Sequence, residues 1–323
     1  MRLPIAMLVA IVATTLVAAQ PAHEGLAQIN LALQAGEADK ARALIHDLPQ
    51  AVAVSAEAHN LQCRVLFTLE QFEAANRECE QAVILDAKDS NYHLWFGRTL
   101  GEVADRANFL SAYNLAKRAR AEFEKSVELN PRNAEALADL GEFYSSAPGV
   151  VGGGADKAAK VAAQLDGVDP ARAHELRAAI AQENKDTNTA EREFKQAIAA
   201  SAHPAFQWMR LASFYRKNKR FDDMQNAVQS GYAAAQKDAH AGVALFNGAS
   251  VLIKTNRDPS LAIKLLETYL SAPGATEEAP AFTARVWLAR LRSQTGDAEG
   301  ARRERAAALA LAQDYKPAQD LKL

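Results

Sequence analysis

From His23 onward the apolar positions recur with a helical period, and the chain carries no strand-like alternation. The clearest stretch runs from Ala119 to Tyr144. Ala119, Phe123 and Ser126 share one face at i, i+4 and i+7. Asn130-Pro131 then ends that helix, because the residue before a proline leaves the helical region while proline suits the first turn of the next helix. Leu137, Leu140-Gly141 and Tyr144 form the face that follows.

The same alternation of faces and breaks predicts eight hairpins of two helices each. The first uses Leu26 to Leu33, turns at Gly36-Glu37 and returns through Ala41, Leu44, Ile45 and Leu48 to Pro49. The second covers about Ala56 to Leu69 and Phe72 to Leu85, and the third opens at Tyr92 with Trp95, Phe96 and Gly97. The fourth starts at Asn133, the fifth at Asp169-Pro170, and the sixth contains Trp208, Leu211, Ala212 and Tyr215. The seventh spans about Ala239 to Ala272 and the eighth about Glu278 to Ala312. Residues 316–323 form a tail able to cover the last apolar face.

The order Ala119-x3-Phe123…Pro131…Leu137-x2-Leu140-Gly141-x2-Tyr144 resembles the tetratricopeptide (TPR) repeat, a helix–turn–helix unit of about 34 residues. Trp208, Leu211, Ala212 and Tyr215 match the same pattern with alanine in place of glycine; Ala87 stands where a proline is usual. The resemblance covers about residues 22–315. It implies an all-α, right-handed superhelical solenoid of about eight repeats, in one domain from 20 to 315 with insertions near 101–118 and 147–155. The order Leu94-Trp95, Glu128-Leu129-Asn130-Pro131, Ala147-Pro148-Gly149-x2-Gly152-Gly153-Gly154 and Asp169-Pro170 also resembles exported bacterial TPR proteins related to the regulator-of-microtubule-dynamics type. That likeness implies a non-enzymatic interaction protein and carries no binding residue with it.

Two units are longer than the repeat. Gly97 and Ala119 are 22 positions apart, against about 12 for the equivalent small residues of a standard repeat. The extra residues fit longer helices around Arg106 to Leu115. The other insertion, Pro148 to Gly154, holds a glycine cluster.

The first 19 residues have a different character. Met1-Arg2 is followed by an uncharged apolar run to Val17-Ala18-Ala19, a pattern of an export signal cut before Gln20. The alternative is an uncleaved anchor, which would be the chain's membrane contact. Export to the periplasm or medium is expected. The net charge of −2 argues against a general nucleic-acid binder.

Candidate chemistry is sparse. Gly149-x4-Gly154 is followed by Ala155-Asp156, so a phosphate loop's lysine and hydroxyl are missing. A small-molecule or enzymatic site at 149–154 remains an alternative, since glycines before a helix can present N–H groups to a carboxylate. The seven histidines are scattered and none has zinc-ligand spacing, so no metal and no cofactor is expected. Cys63 and Cys79 lie 16 positions apart on the two helices of one hairpin, at nearly equal height. A disulfide and two buried thiols are both open readings.

In a TPR hairpin the first helices line the concave groove. The corresponding positions are Phe206, Met209, Ser213 and Arg216 in the sixth unit, and Glu57, Asn60, Arg64 and Phe67 in the second. Their mixed aromatic, amide and basic character suits a peptide or protein partner, an extended or helical segment with apolar anchors and an acidic group. The expected function is therefore a scaffold binding a partner in that groove, with a permanent subunit of an envelope complex as a further alternative.

Overall fold

The computed structural model describes residues 24–272 and 276–323. The expected export signal at 1–19 lies outside them. Helices pair in chain order: α1 (24–34) with α2 (Ala38–His46), then a single turn α3 (Gln50–Ala53), and α4 (Ala56–Thr68) with α5 (Phe72–Leu85). Next come α6 (Ser90–Arg106) with α7 (Phe109–Leu129), α8 (Ala134–Ser146) with α9 (Ala155–Leu165), and α10 (Pro170–Glu183) with α11 (Thr187–Ala200). The last are α12 (Ala205–Lys217) with α13 (Phe221–Ala235), α14 (Gly242–Ile253) with α15 (Pro259–Ser271), α16 (Ala281–Gln294) with α17 (Ala298–Leu311), and the short α18 (Lys316–Gln319). This is an all-α solenoid of TPR type.

Local chemistry sets the boundaries. Ser55, Asp89, Asn108, Asn133, Asp169, Asp186, Asp258 and Asp297 each accept a hydrogen bond from the first turn of the helix they precede. Pro170 and Pro259 take the first helical position, where a missing N–H costs nothing. Six hairpins share one turn, with a left-handed residue after the first helix: Gly36, Glu70, Lys185, Lys219, Asn256 and Gly296. There that residue's own N–H and the next one donate to carbonyls at the helix end, as in Lys219 to Arg216 and Arg220 to Tyr215. The two hairpins without this turn are the two with insertions.

A second recurrence measures the first insertion. His59–Glu78, His174–Glu193 and Arg285–Glu304 bridge the two helices of their hairpins at a separation of 19 residues. In the third hairpin His93 meets Glu122 across 29 residues. The extra length prolongs both helices, so α6–α7 projects beyond its neighbours with Phe109 and Leu110 exposed at its tip.

Small residues let the helices approach. A Cβ on Gly97 would lie 2.6 Å from the Phe123 ring, and one on Gly141 would lie 2.3 Å from Leu176 of the next hairpin. Cys63 and Cys79, both fully buried, are joined by a disulfide across α4 and α5, with Cα atoms 5.3 Å apart.

One core runs from Cys63 to Leu176 and a second from Ala178 to Leu291. The third joins the two ends of the chain: Leu26, Ile29, Leu33, Leu61 and Val65 pack with Phe282, Val286, Tyr315 and Ala318. The Tyr315 hydroxyl donates to Glu70 at 2.9 Å, the Gln313 N–H donates to Asp39 at 2.7 Å, and Arg42 pairs with Asp314 at 2.7 Å. Gly36 allows this closure, since a Cβ there would lie 2.7 Å from the Ala281 nitrogen. The solenoid therefore closes on itself. The tail from Tyr315 lies in the seam between the two ends.

Candidate functional site

The first helices of the hairpins face inward, and their inner surfaces divide into two parts. On α4 and α6 the inward side chains are engaged within the chain. Arg64 donates to Glu277 through Nε at 2.9 Å and Nη2 at 2.7 Å, and to Asn30 at 3.0 Å. Arg64 and Arg98 both lie over the Trp95 ring, at 5.5 and 4.8 Å. Arg98 in turn holds Asp139 at 2.6 Å and Glu135 at 3.1 Å. Burial pushes the Asp139 carboxyl above its ordinary value despite the Arg98 guanidinium.

On α8, α10 and α12 the inward side chains border open space. A cleft of about 530 Å³ lies between Arg98, Asp139, Arg172, Phe206, Gln207 and Glu278. Asp139, Arg172 and Phe206 also border a smaller cleft of about 120 Å³ with Glu175 and Arg210. Glu142, Ala179 and Arg210 then pass into a third, of about 410 Å³, which includes Ser213, Phe214 and Lys217. The shared walls make one groove across three successive first helices. Its α12 wall is Phe206, Arg210, Ser213 and Lys217, a single stripe at helical spacing.

Of the residues expected on the concave face, Phe206 and Ser213 border this groove. Met209 does not: it is 1% exposed and seated between Gly231 and Gly248, whose added Cβ atoms would lie 2.7 and 2.8 Å from it. Arg216 is half-buried and borders none of the three clefts. The expected stripe is one residue out of phase at its second and fourth positions; Arg210 and Lys217 are the groove residues there. Two glycines inside the helical runs of α13 and α14 are the signal for Met209, because each leaves a notch that a long core side chain fills.

On α4 the corrections differ. Asn60 is buried at 5% exposure, so it is no contact surface. Phe67 packs edge-on against Phe72 and Trp95, at 5.3 and 5.5 Å. Arg64 does face inward, but Glu277 occupies it. Glu57 is exposed and borders none of the three clefts.

The glycine-rich insertion forms a short 3₁₀ turn, Gly149–Val151, followed by left-handed Gly152. The N–H groups of Gly152, Gly153 and Gly154 donate to Gly149, Pro148 and Tyr144, so they do not form the anion cradle that the sequence allowed. The loop is fastened to α7, where Arg120 donates to the Val151 carbonyl at 3.2 Å. None of its residues borders the groove.

Among the described residues no cluster of three or more His, Cys, Asp or Glu side chains is arranged to hold a metal, and no helix is long and apolar enough to cross a membrane. Fold and groove together define a helical-repeat protein of the TPR type with a charged groove on its inner surface. No protein-family model matches the chain, and no curated protein sequence matches it. Among solved structures it is similar to a thermophilic TPR protein, TTC0263 of Thermus thermophilus, with 21% identity over 62% of this chain and 100% of that one, at a TM-score of 0.46. It is also similar to PilF of Pseudomonas aeruginosa, with 12% identity over 82% of this chain and 95% of that one, at a TM-score of 0.38. A third neighbour is the Cut9–Hcn1 hetero-tetramer of the APC/C, with 12% identity over 87% of this chain and 58% of that one, at a TM-score of 0.39.

Proposed function

We propose that this chain is a non-enzymatic interaction protein that seats an extended segment of a partner protein in the groove across α8, α10 and α12. The observation that carries the reading is the continuity of the three clefts. A run of about 530, 120 and 410 Å³ with shared walls suits a chain better than a compact metabolite. Phe206 is the apolar anchor, and Arg210, Ser213 and Lys217 supply polar contacts along one edge. The inner walls of the groove are ion pairs and packed side chains, such as Arg98 with Asp139 and Glu135, an arrangement that supports binding over catalysis.

The setting proposed is outside the cytoplasm. The apolar segment at 3–19 with its small-residue end supports export, and the buried Cys63–Cys79 bridge fits an oxidising compartment.

The test is crosslinking capture from an envelope extract of the source, using the mature chain as bait. Phe206→Ala with Arg210→Glu is expected to abolish capture of a specific protein while leaving the helical circular-dichroism spectrum unchanged. Capture that survives both changes rules out the groove. Mass analysis of the purified exported chain checks the setting, with a first residue of Gln20 expected.

A further inference from the structure

Two polar side chains in the groove are buried and lack partners on one oxygen. Glu175 is 8% exposed and its Oε1 meets no donor. Gln207 is 7% exposed and its Oε1 is likewise unpaired. Glu175 borders the middle cleft and Gln207 the wide one, on neighbouring helices. An orphaned buried acceptor is unfavourable unless something fills it, so native proteins seldom keep one without a use.

The nearby cations do not fill these positions. Arg98 is shared between Asp139 and Glu135. Arg172 lies 3.2 Å from Asp169. Arg210 approaches only the other oxygen of Glu175, at 4.0 Å, and its own side chain is 40% exposed. Glu278 stands at the rim of the wide cleft with no ion pair among the described residues. Burial raises the Glu175 carboxyl above its ordinary value, with Arg210, Arg172 and the adjoining Gln207 amide opposing that rise. The groove thus holds more carboxylate than cation, and one oxygen on each of its two most buried acceptors remains unpaired.

Building on the groove reading above, we infer that the partner segment inserts a cationic side chain, arginine or lysine, between Phe206 and Glu175, where Glu175 Oε1 and Gln207 Oε1 accept its N–H donors. A guanidinium or ammonium has donors only, which matches acceptors only. Phe206 lines the same space, and an aromatic ring beside a cation attracts it. The groove continues past Arg210 to Lys217, so the remainder of the segment has walls to lie against. This assigns the site to a peptide side chain and not to a free amine.

The experiment is panning of a random dodecapeptide library against the full chain, followed by fluorescence anisotropy of one enriched peptide in three versions. The versions carry the native cationic residue, norleucine or glutamate at that place. Enriched peptides are expected to share an arginine or lysine. Norleucine is expected to weaken binding about tenfold or more, and Glu175→Gln to weaken the cationic version by a similar factor while leaving the norleucine version unchanged. Because the peptide is altered independently of the protein, a folding defect in the variant cannot mimic this pattern.

Enriched peptides without a cation, or a cationic version indifferent to Glu175→Gln, would overturn the inference. The groove would still stand if Phe206→Ala lowered their affinity. No enrichment at all would remove both the inference and the groove reading. Arginine amide binding as tightly as the peptide would overturn the assignment to a peptide and give the site to a small cation.

Discussion

The inner surfaces of the second and third hairpins and those of the fourth to sixth are built from the same kind of helix, yet they do opposite things. In the former, Arg64 and Arg98 lie over the Trp95 ring and are salt-bridged to acids from elsewhere in the chain. Their ends are occupied: the Arg64 and Glu277 side chains are only 15% and 10% exposed. In the latter, Glu175 and Gln207 are just as buried but each leaves an acceptor unpaired. Charged inward residues at equivalent places can therefore tie the fold together or wait for something else. What distinguishes them is whether a second segment of the chain reaches them.

The sharpest break of that comparison is Arg64→Ala. It strands a nearly buried carboxylate and should cost about 3 kcal/mol in urea unfolding, with a larger radius of gyration in solution scattering as the two ends separate. Glu175→Gln, by contrast, should leave stability within about 0.5 kcal/mol or raise it, because it removes a buried charge whose nearest cation, Arg210, stands 4.0 Å away. Equal losses from the two variants would erase the distinction.

Next in size is the bridge between α4 and α5. Replacing Cys63 and Cys79 together by alanine should lower stability by about 3 kcal/mol, the order expected for closing a loop of this length. Calorimetry of the oxidised chain against the double variant checks it.

The half with the open groove has a tie of its own, sensitive to acid. Glu191 accepts from Arg220, from Lys195 at 2.7 Å and from Tyr215 at 2.9 Å. Chiefly the Arg220 contact holds its carboxyl down to about 2 from an ordinary 4.5. A carboxyl that titrates lower in the folded chain stabilises fully above its unfolded value and loses that contribution as pH falls through the folded one. Stability of the native chain should therefore fall more steeply between pH 5 and 2 than that of Glu191→Gln. Parallel curves from acid titration followed by circular dichroism would rule this tie out.

The smallest expected effect is a gain. Lys219 holds φ at 60° in the turn of the sixth hairpin, a region where a side chain is strained. Lys219→Gly should raise stability by about 0.5–1 kcal/mol in urea unfolding, since relief of that strain exceeds glycine's added unfolded-state entropy.

Much of the fold was legible because it is local. Asn130-Pro131, Asp169-Pro170 and the Gly97–Ala119 spacing mark helix ends and an overlong hairpin without reference to the rest of the chain. The site was less legible. Counting along a helix puts Phe206 and Ser213 on the groove, but the same count puts Met209 there. Adjoining inward and buried stripes on a helix lie only about 100° apart per residue, so a slip of one residue exchanges them. The same count turns Arg64 inward, and only the location of Glu277 shows that it is taken.

The sequence by itself determined the all-helical hairpins, their number and their unequal lengths, because helical period, capping residues and prolines act within a few residues. It left the two cysteines undecided between bridge and thiols. Only the tertiary structure decided that the chain closes, with Tyr315 and Phe282 against Leu26 and Leu33, and which inward charges remain unpaired. Curvature accumulates from small rotations between successive hairpins, and whether the ends meet depends on the sum of those rotations over the whole chain. No single repeat encodes that sum, so neither the seam nor the unpaired acceptors could be read from any one stretch of residues.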